Sequence, residues 1–266
     1  MEITADAPLT PRGDGARRPA FGDAAWTAKD VLFGMFWFAG IFVGAQIALL
    51  PLVFAFGTTS GQFFSAAFIS GAAVEVGIVI VAVNFTLRRY GGGWERLGIR
   101  RPGRAAIFWA LAAFAGALVV SLVYAGIVEA FDVGWLRSGC AEQVPKEVRE
   151  TRALLALASL TVIAFAPVCE ELFFRGFVFP GISNRWGLVA GIVVSGVIFS
   201  SVHLLYKSFV PIAGVGMVFA YAYYRSRNIF TTMLAHIAFN SVSIAAIAGG
   251  SCDSTSSIAF LHGWAL

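Results

Sequence analysis

A chain of 266 residues that is 58% hydrophobic and only 13% charged, at mean hydropathy +0.79, lacks the polar surface to cover an apolar core in water. Ordinary soluble domains carry about a quarter charged residues, so a water-soluble globule is excluded. The net charge of +4 calls for no nucleic-acid partner, because the basic residues gather between apolar runs rather than along a binding stripe.

Met1–Asp30 is rich in Pro, Gly, Arg and Asp and has no apolar periodicity. It reads as a disordered cytoplasmic tail. The apolar run that follows is too long for the 7–15-residue core of a cleavable signal peptide, so it is expected to persist as an anchor. Val31–Phe56 carries no charge, Gly61–Leu87 carries only Glu75, and Ala105–Val128 carries none. Ala153–Cys169 is uncharged and runs straight into Glu170 and Glu171. Leu188–Tyr206 contains only His203, Ser208–Tyr224 no charge, and Ile229–Ala248 only His236. Runs of this length read as spanning helices, since in lipid each segment must satisfy its own backbone. The predicted fold class is all-α: a polytopic membrane helix bundle of about seven (7–8) transmembrane helices over residues 31–249, followed by a short tail at 250–266.

With seven spans and a cytoplasmic N-terminus, thirteen Lys and Arg fall inside and five outside, Arg175 being intramembrane. The positive-inside bias therefore places the N-terminus in the cytoplasm and the C-terminus outside, in what reads as a bacterial cytoplasmic membrane. The turn at Lys207 is either a true loop or re-entrant. The stretch "RRYGGGWERLGIRRPGR" is part of that bias, and it also suits anionic headgroups. Cys140 and Cys252 both fall outside, where a disulfide between them is a candidate. Cys169 lies within a helix. No CxxC or HExxH spacing occurs, so zinc-finger and common zincin readings have no support.

Ionisable groups inside a membrane are costly and mark function by default. Glu171 and Arg175 are four apart, share a helix face and can pair. Glu170 is turned about 100° away and points elsewhere. His203 lies four after Phe199, and Asn240 four after His236. Glu170 lies about 15 residues before a turn near Asn184–Trp186 and His203 about 17 after it, which puts both roughly 22–26 Å from that turn. An antiparallel pair would bring them level, and a later helix can deliver His236 and Asn240. Glu75 is mid-span with no partner legible in the sequence. "GLVAGIVVSG" reads as close helix packing rather than a phosphate loop, because no strand precedes it.

The stretches "APVCEELFFRGF", "FSSVH" and "HIAFN", in this order on successive helices, resemble the CPBP family of CAAX-processing and bacteriocin-processing intramembrane proteases, which includes the type II CAAX prenyl endopeptidases. The resemblance covers about residues 153–248, the expected catalytic core. It implies an endopeptidase acting on a peptide or protein substrate, prenylated or membrane-associated, at the lipid bilayer. It implies Glu170, His203, His236 and Asn240 as catalytic residues and Glu171, Arg175 and Phe199 as supporting ones. Glu170, unpaired and desolvated, suits a base that activates water. His203 would share that water, while His236 and Asn240 would donate to an oxyanion. This assignment needs no metal cofactor. The rival assignment gives Glu170, His203 and His236 to a divalent ion, most plausibly zinc. Two further classes stand beside the enzyme: a non-catalytic scaffold or bacteriocin-immunity protein of the same fold, and a proton-coupled transporter, against which no paired broken helices are found.

Overall fold

The computed structural model describes residues 24–137 and 144–248. Among them are eight helices and no strand: α1 (Ala28–Phe56), α2 (Gly61–Arg88), α3 (Arg104–Ala130), the short α4 (Lys146–Glu150), α5 (Arg152–Trp186), α6 (Leu188–Val202), α7 (Phe209–Ser226) and α8 (Ile229–Ala248). Each of the seven apolar runs is one helix. Five of these, α1, α2, α3, α5 and α8, are long and apolar enough to cross a membrane alone. This is a multi-pass membrane protein. Its lipid-facing surface is plainest on α1, where Leu32, Phe36, Trp37, Ile47 and Phe54 are exposed.

The core is built around α5. Its phenylalanines Phe173, Phe174, Phe177 and Phe179 are buried against α2, α7 and α8. α6 and α7 cross closely because both carry glycine at the contact: a Cβ placed on Gly216 would stand 3.0 Å from the Gly196 Cα. The small-residue stretch thus serves helix packing, as its composition predicts.

The reading of residues 1–30 as a tail is corrected at its C-terminal end. Trp26 is fully buried, and its Nε1 donates to the Phe177 carbonyl at 2.8 Å. Asn184 Nδ2 reaches the Ala24 carbonyl at 2.7 Å. Asp30 is buried, accepting from the Thr27 N–H at 2.9 Å and from the Tyr90 hydroxyl at 2.9 Å, with Arg89 at 3.5 Å. The physical reason is that one large apolar ring and one paired carboxylate suffice to dock seven residues, a signal too sparse for periodicity to register. Residues 1–23, Cys140, Cys252 and the segment 249–266 lie outside the described residues. Replacing Trp26 with Phe keeps the bulk but leaves the Phe177 carbonyl without its donor. The expected cost is roughly 1–3 kcal/mol, read as a lowered Tm in detergent.

The basic segments gather at one end of the bundle. Tyr90 and Arg89 meet the start of α1, Ile229 N–H donates to the Gly98 carbonyl at 2.8 Å, and Asn228 Nδ2 donates to the Arg100 carbonyl at 3.0 Å. At the other end α6 is short. Fifteen residues span about 22 Å, less than the roughly 30 Å of a bilayer core. The turn after it is therefore recessed: the Tyr124 hydroxyl, six residues before the end of α3, donates to the Lys207 carbonyl at 2.9 Å.

Candidate active site

α5 departs from α-geometry twice. Residues Thr161–Phe165 and Leu172–Val178 are π-helical, and they bracket the α-helical turn Ala166–Glu171. Wide turns of this kind leave carbonyls without their usual donors and recur at functional sites. Pro167, at the start of the bracketed turn, has no N–H to give and clashes with the fourth carbonyl before it. One loosened carbonyl finds a partner on another helix: Asn240 Nδ2 on α8 donates to the Val162 oxygen at 2.8 Å.

The two glutamates part as the helical spacing predicts. Glu171 is fully buried and pairs with Arg175, Nη1 to Oε1 at 2.8 Å. The Arg175 guanidinium also reaches the Gly216 carbonyl at 3.4 Å and lies 4.3 Å over the Phe199 ring and 5.3 Å from that of Phe219. It is therefore held by charge on one side and by aromatic faces on the other. Glu170 stays 15% exposed, and its Oε2 has no hydrogen-bond partner in the protein.

Both histidines are anchored through Nδ1. His236 Nδ1 donates to the Glu171 carboxylate at 2.9 Å. His203, the residue that ends α6, donates from Nδ1 to the Phe199 carbonyl at 2.7 Å. A carbonyl and an ion-paired carboxylate only accept, so both rings carry the Nδ1 proton and leave Nε2 free. His236 Nε2 lies 3.9 Å from Glu170 Oε2. Leu204, next after His203, takes left-handed backbone angles, with φ at 56°, which stops α6 at the ring. Phe199 packs against His203 at 4.7 Å and His236 at 5.9 Å between ring centroids. It is the shared wall behind both imidazoles.

Glu170, His203, His236 and Asn240 line one cavity of about 230 Å³, together with Thr161, Val162 and Ala166 of α5. The structure thus brings together all four residues singled out as catalytic. Beneath them it stacks Glu171, Arg175 and Phe199. It adds Glu75 of α2 to the same cavity, a residue the sequence flagged without a role. Asn240 differs from expectation in that one amide N–H is engaged by Val162, so at most its second N–H faces the cavity. Among the described residues no three His, Cys, Asp or Glu side chains form a group that could hold a metal ion.

Residues 152–242 match the family model described as type II CAAX prenyl endopeptidase Rce1-like. The chain is also 28% identical over 208 residues to "Putative membrane peptidase YdiL" of Bacillus subtilis (strain 168), covering 74% of this chain and 80% of the relative. Both findings support a place in the CPBP family for the part of the chain that carries the site. No solved structure matches it. The family-model match takes in every motif residue from Glu170 to Asn240. It leaves out α1, α2 and α3, and with them Glu75.

Proposed function

We propose that this chain is an intramembrane endopeptidase of the CAAX type that hydrolyses a peptide bond with a water activated by Glu170. The observation that carries this reading is a carboxylate with an unpartnered, buried Oε2, facing a cavity that it shares with two imidazoles and a carboxamide. Glu170 takes a proton from the water as the oxygen attacks the carbonyl carbon. His203, with Nε2 free, accepts and passes a proton toward the leaving amine. His236, when protonated at both nitrogens, donates from Nε2 to the developing oxyanion, and the second Asn240 N–H assists. Glu171 balances that imidazolium much as a triad carboxylate does, and Arg175 fixes Glu171. The cycle requires no metal.

The substrate in this reading is a peptide or protein, prenylated or otherwise membrane-associated, presented at the bilayer. The chain sits in a bacterial cytoplasmic membrane, N-terminus inside and C-terminus outside. The gathering of its basic turns at the end where α1 begins supports that orientation. The test is cleavage by the purified chain in liposomes, on prenylated and unprenylated peptides, with and without chelator. Wild type is expected to cleave, at a rate unchanged by chelator. Loss on chelation with recovery on adding zinc would return the reaction to a metal. No cleavage by well-folded wild type would end the peptidase reading.

A further inference from the structure

The cavity has one charged wall that lies outside the family match. Glu75 stands mid-way along α2, and α2 packs directly on the α5 turn that carries the two glutamates. Ala67, Gly71 and Glu75 all line the cavity at four-residue spacing, which is one face of a helix. The first two are small, and a Cβ at Gly71 would meet nothing within 4 Å. The face is thus left open at the turn before Glu75, with Phe68 closing the cavity further along α2.

Glu75 Oε2 and Glu170 Oε2 are both buried and both lack a protein partner. Both carboxyl groups line the same cavity, Glu75 from α2 and Glu170 from α5. The nearby cation makes its direct contacts elsewhere: Arg175 is held by Glu171, the Gly216 carbonyl and aromatic faces. Buried polar atoms are nearly always paired. A carboxyl kept solely to hold helices together would therefore have its partner on the neighbouring helix. Here the neighbour presents another carboxyl, an arrangement that works against folding and whose cost is commonly accepted at functional sites. The space between them, within a cavity of about 230 Å³, has room for several waters at about 30 Å³ each.

We propose that Glu75 is a positioning residue of this site: facing Glu170 from α2, it fixes the orientation of the Glu170 carboxylate and of the water held between them. This rests on the peptidase reading for its role in turnover, but not for the coupling of the two carboxyls. The role needs a hydrogen-bonding group at position 75 rather than bulk alone. Glu75→Gln retains such a group, and Glu75→Met keeps the size without it.

The test uses the full chain in nanodiscs and two readouts. In thermal unfolding, Glu75→Gln and Glu75→Met are expected to leave Tm equal or raised. The gain from Glu75→Gln is expected to disappear when Glu170 is already Gln, so that the double-mutant cycle is non-additive. A lowered Tm in Glu75→Met together with an additive cycle would make Glu75 a structural residue and overturn the proposal. In peptide cleavage, Glu75→Met is expected to lower kcat roughly tenfold to 100-fold at unchanged KM, and Glu75→Gln to restore most of it. Full kcat in Glu75→Met, or equal loss in both variants, would overturn the positioning role. If wild type cleaves nothing while the cycle is non-additive, the carboxyl pairing stands and the peptidase reading falls.

Discussion

Glu170→Gln is expected to fold and insert like wild type and to lose kcat by roughly 10²–10⁴-fold, the range for removal of a general base. The fold should survive because Glu170 makes no hydrogen bond through its buried Oε2 and is only 3.9 Å from His236 through that atom. Gln keeps the shape and loses the basicity. KM should change little, since the carboxylate is asked to act on water rather than to hold the peptide, and such a loss falls on kcat. Single-turnover cleavage of the best wild-type substrate, beside a thermal melt of the same preparation, is the measurement. A melt matching wild type with cleavage intact would remove Glu170 from the chemistry.

Arg175→Leu is expected to be the most damaging single change to stability. Arg175 is 2% exposed and Glu171 fully buried. Removing the guanidinium leaves a carboxylate in the apolar interior with only the neutral-capable His236 and the Thr232 hydroxyl beside it, and breaking a buried pair in this way typically costs about 3–5 kcal/mol. The loss should also reach the site, because Glu171 Oε1 is the atom that both Arg175 and His236 hold. Replacing both members, Glu171→Leu with Arg175→Leu, removes the stranded charge and should recover much of the Tm. It should not recover cleavage, since His236 then loses its Nδ1 acceptor. Melts of the two variants in one detergent decide this. Equal Tm for the single and double variants would mean that the pair carries no buried charge penalty.

Most of this was legible in the sequence because a bilayer leaves the chain few choices. Uncharged runs of this length have to be helices, so the seven principal helices follow from where the charges lie. The split between Glu170 and Glu171 follows from the 100° step per residue, and the convergence of Glu170 with His203 follows from their equal distances to a common turn. What the sequence hid depends on contacts that leave no pattern. Trp26 docks through one ring and one hydrogen bond, inside a segment whose composition suggests disorder. The partner of Asn240 is a backbone carbonyl, which no side-chain motif can announce; Pro167 was the only local hint that α5 would loosen there. Glu75 does carry a local signal: a mid-span carboxylate one and two turns after the small residues Gly71 and Ala67. Its partner lies on a helix about ninety-five positions away, and spacing within α2 says nothing about that.

The two π-helical stretches of α5 make the aim of Glu170 a matter of counting. Each holds an extra residue relative to an α-helix over the same rise, and each residue gained or lost turns everything beyond it by about 100°. Between Arg152 and Glu170, then, side chains can be exchanged with local effects, but the number of residues cannot change without swinging the carboxylate off the cavity. Homologous cores that share this site should vary in letters along this helix while keeping its length, with insertions and deletions confined to the loops on either side.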